Sequence, residues 1–305
     1  MQVSYGNRCH PPEHSLATTA LGPLPLPPLG AQSSERLPLQ PQRYRQGARF
    51  HLWQDRQLTL GIASAPLADQ DLGQCAESLY DELFALTGDA YLYRIWNYLP
   101  EINAGQGDQE NYRRFCVGRS QSFHRAFGVN ETSYMPAGTC VGCDGEHLTV
   151  LFLSAPTRPD HHENPKQIPA YRYPRQYGPT PPSFARATTG AINGARHRYI
   201  SGTAAVLGHQ SQARGDLAGQ IAITCDHLET VDAQTRAGHP QAAVSSFLSG
   251  KVYLRHAAHY EEAKALLEQR FPQYAAQLVY LRSDICRQDL LVEIELAFVD
   301  PLKAS

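Results

Sequence analysis

The 305-residue sequence has no apolar run approaching the length of a membrane span, and its start lacks a basic segment followed by an apolar stretch. A membrane partner is therefore not expected. Charge of either sign is scarce: 27 basic against 29 acidic residues give a net charge of -2 and a pI near 6.7. Nucleic acid, which needs a basic surface, is not an expected partner either. Seven cysteines, an odd number scattered from Cys9 to Cys286, do not make a disulfide framework. Reduced thiols and a cytosolic setting are expected. Cys140-Val-Gly-Cys143 has the spacing of a zinc or redox pair, but no second Cys or His pair stands at a matching interval. No metal is expected, and the pair reads as a turn ahead of a strand.

What the chain does have is 42% hydrophobic residues, enough for one large core or two medium ones. Prolines mark the boundaries. Eight of 22 lie within residues 1–45, and eight more lie between Pro156 and Pro182. The first cluster reads as an extended N-terminal arm over 1–45. The second, within a connection over 159–185, carries Tyr171, Tyr173 and Tyr177, more aromatic content than a spacer needs.

The segments between these clusters, 46–158 and 186–305, read as two copies of one β-α-β-α-β unit. The first copy has strands at 58–64, 91–98 and 148–153, with helices at 74–86 and around 111–127. The second has strands at 199–204 and 251–254, helices at 217–233 and 260–270, and a strand hairpin over 277–299. The expected class is α+β, with mixed sheets and helices packed on one face.

Leu290-Leu-Val-Glu-Ile-Glu-Leu-Ala-Phe298 alternates at period two and therefore reads as a strand. Val292, Ile294, Leu296 and Phe298 share one face; Glu293, Glu295 and Ala297 share the other. If that second face is buried, desolvation favours the neutral acid, and a carboxylic acid held protonated near neutral pH is a proton donor. The matching strand of the first copy, 148–153, carries no carboxylate, which suggests one working site per chain.

Other candidates follow from side-chain chemistry. Arg113, Arg114 and Arg119 lie on one predicted helix, and Arg119 follows Gly118 on a largely apolar face where a guanidinium is hard to solvate. Arg198 runs into the small-residue strand end Ile200-Ser-Gly-Thr-Ala204, where Gly202 permits close approach of a ligand. His209 is a candidate base. Several arginines near aromatic residues suit a cyclic polycarboxylate.

Five separated motifs carry a resemblance. Ile95-Trp-Asn-Tyr-Leu-Pro-Glu-Ile-Asn103, Tyr112-Arg-Arg-Phe-Cys-Val-Gly-Arg-Ser-Gln121, Ala170-Tyr-Arg-Tyr-Pro-Arg-Gln-Tyr-Gly-Pro179, Ile200-Ser-Gly-Thr-Ala204 and Leu291-Val-Glu-Ile-Glu295 together resemble the chorismatase family. The resemblance covers most of the chain from about residue 50. It implies two tandem RidA/YjgF-like (chorismate mutase-like) units and a cofactor-free enzyme that cleaves the small molecule chorismate and releases pyruvate. It assigns the proton donor to Glu293, with Glu295 as the local alternative. Arg119 resembles the family's substrate arginine, Arg198 is a second candidate for a carboxylate, and Tyr171 or Tyr173 resembles a substrate-contacting tyrosine. Gly202 and Cys286, the latter seven residues before Glu293, match the type that forms 3-hydroxybenzoate, with 4-hydroxybenzoate as a second aromatic isomer. RidA-like proteins are commonly trimeric, which leaves a homo-oligomer open. The rival expectations are a RidA-type imine or enamine hydrolase and a metabolite-binding protein without turnover.

Overall fold

A computed structural model describes residues 1–7, 15, 17–18, 20–67, 70–237 and 246–302. Its elements are β1 (Gln2–Gly6), β2 (Ala20–Pro25), β3 (Ser34–Arg36), β4 (Arg43–Gln46), β5 (His51–Gln54), β6 (Thr59–Pro66), α1 (Leu72–Thr87), β7 (Tyr91–Pro100), α2 (Asn111–Phe127), β8 (Ala137–Cys143) and β9 (His147–Ala155). There follow β10 (Asp160–His162), β11 (Ala187–Ile192), β12 (Ala195–Thr203), β13 (Val206–Leu207), β14 (Gln210–Ser211), α3 (Leu217–Arg236), β15 (Phe247–Leu254), α4 (Tyr260–Arg270), β16 (Val279–Arg282) and β17 (Val292–Pro301). None of these helices is long and apolar enough to cross a membrane.

The chain is α+β and built twice over. One six-stranded sheet has the order β4-β5-β6-β9-β7-β8, and the second repeats it as β10-β11-β12-β17-β15-β16. In each, the strand after the second helix pairs in parallel at one edge: β8 on β7 and β16 on β15. The hairpin expected over 277–299 does not form. β16 and β17 lie on opposite sides of β15, because the helix α4 between β15 and β16 makes a parallel crossover.

Three apolar layers result. Leu79, Leu83, Phe115 and Phe123 of α1 and α2 pack on Leu92, Ile95, Val150 and Phe152 of the first sheet. Ile221, Leu228 and Leu267 of α3 and α4 pack on Val252, Val292, Ile294 and Phe298 of the second. The faces turned away from the helices meet each other, bringing Trp96, Tyr98 and Leu151 against Tyr199, Tyr253 and Ala297. Period-two alternation thus buries both sides of β17: apolar residues toward the helices, Glu293 and Glu295 toward the other sheet. Helices α1 and α2 touch at Gly118, where a Cβ would lie 1.9 Å from the Gly73 carbonyl oxygen.

The arm differs from its expectation as a bare extended segment. β1, β2 and β3 form a sheet of their own, and Val3, Tyr5, Leu21, Leu24 and Leu37 close the core between the two large sheets. Leu29 N donates to the Tyr280 carbonyl at 2.9 Å and Arg282 N to the Pro27 carbonyl at 2.8 Å, covering the exposed edge of β16. Pro23 and Pro25 lie within β2, an edge strand of that sheet, where a missing N–H costs least. The connection is also structured, since β10 pairs with β11.

Cys140 and Cys143 lie within β8, not in a turn, and three positions apart on a strand they face opposite ways. Among the described residues, Cys75, Cys116, Cys140, Cys143, Cys225 and Cys286 are free thiols, and no group of His, Cys, Asp or Glu could hold a metal ion. Cys9 lies outside the described residues.

Candidate active site

A cavity of about 850 Å³ lies between the two halves, walled by α2, β8, the connection, the end of β12, the segment before β17 and β17 itself. Glu293, Gly202, Cys286, Arg119 and Tyr173 all line it. These expected residues come from well-separated stretches of sequence.

Glu293 is 4% exposed. Burial pushes its carboxyl up to about 8, the charge of Glu295 adds to the rise, and Arg94 and Arg186 oppose it. It therefore carries a proton at neutral pH.

Glu295, two residues on and also buried, has the opposite character. Burial alone would raise it too, but Arg94 and Lys251 hold it well below the usual carboxylate range. Arg94 Nη2 donates to it at 2.7 Å, Trp96 Nε1 at 2.7 Å, the Thr139 hydroxyl at 2.6 Å and the Tyr253 hydroxyl at 3.1 Å, and Lys251 Nζ lies 2.8 Å away. Lys251 also pairs with Glu35 of the arm. Two carboxyls on one face of one strand thus stand in different protonation states, the pattern that separates an acid from a fixed charge.

Gly202 reaches the cavity through a bulge. The ladder between β12 and β17 pairs Ile200 with Leu296 and Thr203 with Ile294, so two residues of β12 oppose one of β17. A Cβ on Gly202 would stand 1.9 Å from Glu293 Oε1 and 2.9 Å from Thr139 Oγ1. Gly202 N donates to that same Thr139 hydroxyl at 3.1 Å.

Arg119 is 3% exposed, with its guanidinium 5.1 Å from the centre of the Phe115 ring. Its Nε and Nη2 are buried without a hydrogen-bond partner. Donors desolvated in this way are costly unless an acceptor arrives, and a carboxylate is the acceptor that fits a guanidinium best. Cys286 is half-buried, its thiol pushed up to about 12 by burial and by Glu293, so it is neutral.

Tyr173 accepts a hydrogen bond from Arg186 Nη2 at 2.7 Å, and its ring centre is 5.2 Å from the Arg287 guanidinium. Tyr171 is not part of the wall. It packs on the helix-side core of the first half, and its ring lies 5.9 Å from the Arg172 guanidinium.

Arg198 is placed outside the site altogether. It shares a face of β12 with Ile200, toward α3, where Nε donates to Asp300 at 2.6 Å, Nη1 bonds Asp232 and Thr235, and the guanidinium stacks 4.4 Å over Phe298. A cation sandwiched between two carboxylates is structural. His209 Nδ1 meets the Tyr177 hydroxyl at 3.1 Å, behind the cavity wall.

Comparison with known proteins identifies the family. A family profile described as "Chorismatase FkbO/Hyg5-like, N-terminal" matches residues 39–154. A Streptomyces rapamycinicus protein named "Chorismatase" is 35% identical over 251 residues, 77% of this chain and 72% of that protein. The chain belongs to the chorismatase family. A "3-hydroxybenzoate synthase" of Streptomyces hygroscopicus is 36% identical over 227 residues, 70% of this chain, and the match spans 65% of that protein's length. A crystal structure titled as a chorismatase superimposes with a TM-score of 0.82 at 28% identity, covering 97% of this chain and 92% of that one.

In this chorismatase-family cavity, sequence reasoning missed Thr139, Arg186 and Arg287. Thr139 sits on β8, whose Ala-Gly-Thr-Cys-Val-Gly-Cys composition gives no strand signal. Arg186 begins β11's approach from the proline-rich connection. Arg287 adjoins Cys286; its guanidinium lies 4.0 Å from the Tyr177 ring centre, and Nη1 donates to the His209 carbonyl at 2.9 Å. The one signal that marks these two arginines in the sequence is their nearness to candidate residues, Arg287 beside Cys286 and Arg186 shortly after the tyrosine-rich motif.

Proposed function

We propose that this chain is a cytosolic chorismatase that converts chorismate to 3-hydroxybenzoate and pyruvate, with 4-hydroxybenzoate as a minor isomer. The observation that carries the reading is a buried, protonated Glu293 in a cavity rimmed by arginines. Chorismate offers two carboxylates, a ring hydroxyl and an enol ether whose methylene carbon is the basic site.

In this reading Arg119 takes one carboxylate, and Arg186 and Arg287, with Tyr173 between them, form the second cationic wall. Glu293 gives its proton to the methylene carbon, leaving an oxocarbenium ion. The ring hydroxyl oxygen then bonds to the carbon bearing the ether as that carbon's bond to the ether oxygen breaks, its electron pair leaving with pyruvate. The three-membered ring so formed opens at the oxygen's bond to its original carbon, which leaves the oxygen on the carbon that bore the ether. Loss of a ring proton restores aromaticity and balances the proton given by Glu293. The two products together have the composition of chorismate, so no water is consumed. Gly202 leaves the acid room beside the substrate, and the neutral Cys286 supplies a small, unreactive wall. Glu295 stays ionised and holds the two sheets in register around the acid.

Incubating the purified protein with chorismate and following pyruvate and aromatic products tests the proposal. Pyruvate equimolar with the sum of the two hydroxybenzoates is expected, with 3-hydroxybenzoate predominating. Binding without pyruvate release would favour a metabolite-binding protein, and turnover confined to small imines would favour a RidA-type hydrolase.

A further inference from the structure

Gln167 lies on the connection, 7% exposed, and lines the cavity. The two ends of its side-chain amide have distinct roles. Nε2 donates to the Val206 carbonyl at 2.8 Å, which fixes the amide's orientation, and Oε1 is buried with no hydrogen-bond partner. The backbone around it is held on both sides: Ile168 N donates to the Gly208 carbonyl and Gly208 N to the Lys166 carbonyl, each at 2.9 Å. Gln167 therefore cannot turn its amide toward another partner without giving up the bond from Nε2 to the Val206 carbonyl.

An acceptor desolvated without a donor is costly, so such an atom points to a ligand donor. Among the described residues, the other buried side-chain polar atoms of the wall without a hydrogen-bond partner are Nε and Nη2 of Arg119 and Nε of Arg186, all donors, the last of them 3.9 Å from Glu163 Oε2. Nearby hydroxyls of the wall are already engaged: Tyr173 accepts from Arg186, and Ser211 accepts from Arg287 at 3.2 Å. The side chains of the wall thus present unmet donors for anionic oxygens and, among the described residues, one unmet buried side-chain acceptor for a single donor. Chorismate, as its dianion, carries many acceptor oxygens and one donor, its ring hydroxyl.

We propose that Gln167 Oε1 receives the ring hydroxyl of chorismate, turning that oxygen toward the carbon it attacks and selecting substrates that carry it. The proposal rests on the chorismate-cleaving reading above. Gln167 is then a substrate-orienting residue that governs the fate of the cation after Glu293 has protonated the ether.

The test compares chorismate with 4-deoxychorismate, which lacks the hydroxyl, in the wild type and in Gln167→Leu. Pyruvate release and the ratio of 3-hydroxybenzoate to the water-captured dihydrodiol are measured. The wild type should prefer chorismate by about tenfold to a hundredfold in kcat/KM. Gln167→Leu should narrow that preference by slowing chorismate alone, and should raise the dihydrodiol share. A variant that slows both substrates equally, or leaves the product ratio unchanged, overturns the proposal. So does a wild type that handles both substrates alike, a measurement that holds even if the variant does not fold. A wild type releasing no pyruvate from chorismate overturns the functional reading together with this one, whereas an active wild type without discrimination overturns this one only.

Discussion

Gly202 and Glu293 meet across the bulge of β12 so closely that a Cβ on the glycine would lie 1.9 Å from the carboxyl oxygen. The acid's position and the size of residue 202 are therefore one variable. Gly202→Ala should displace the carboxyl, cost about 1–3 kcal/mol of stability as overpacking does, and move product from 3-hydroxybenzoate toward the dihydrodiol. Chromatography of the products checks this; an unchanged ratio contradicts it.

Glu295→Gln removes the carboxylate partner of Arg94 and one of the two carboxylates that hold Lys251. Breaking a buried pair from one side costs about 3–5 kcal/mol, so denaturant melts should show a loss of that size. Turnover by the molecules that remain folded should fall far less than with a change at Glu293. Removing the negative neighbour and leaving two cations should also lower the Glu293 acid, moving the alkaline limb of kcat to lower pH. The native pair has its own pH signature. A carboxyl depressed in the folded state stabilises above its unfolded value, and that contribution is lost as pH falls through the folded one.

Arg198 and Arg119 should separate cleanly. Arg198→Met leaves the buried Asp300 without its cation, while Asp232 keeps Arg236, so stability should fall by about 3–5 kcal/mol while KM for chorismate stays within roughly twofold. Arg119→Met removes two donors, Nε and Nη2, that have no hydrogen-bond partner, together with the stacking on Phe115, so stability should fall less than with Arg198→Met. Its kcat/KM should drop by about tenfold to a hundredfold, the worth of a charge-assisted bond. Thermal melts and steady-state kinetics on the same two preparations decide it.

Stability should also report Glu293 directly. Its carboxyl is raised in the folded protein, so between about 4.5 and 8 the unfolded chain binds fewer protons and stability falls as pH rises. The slope reaches at most ~1.4 kcal/mol per pH unit. Glu293→Gln, which cannot ionise, should melt higher than the wild type at pH 8 and gain little at pH 5. Equal differences at the two pH values would contradict a raised acid.

These relationships were unevenly legible in the sequence. Helices α2 and α4 were readable to their ends, because their apolar spacing and flanking glycine or proline are local signals. The faces of β17 were readable because alternation alone assigns them. Strands β8 and β11 were not, since Gly, Ala, Thr and Cys pack well between layers without a period of their own. Arg198 was misplaced for a related reason: its residue type announces a buried cation, but only the other layer tells which face of β12 meets carboxylates and which meets the cavity. The arm's strands are short, broken by proline, and held by the core they cover, so nothing local marks them. Gln167 and Thr139 are ordinary residues until the two halves close around them.

The central claim is that Glu293 donates the proton that releases pyruvate, and pyruvate formation by Glu293→Gln measures it most directly. With chorismate saturating and ligand binding verified by calorimetry, the variant should bind yet release pyruvate at least about a thousandfold more slowly, the scale of general-acid catalysis. The wild-type rate should fall as pH rises past about 8, where the acid loses its proton. A variant that binds chorismate and releases pyruvate at the wild-type rate would contradict the account.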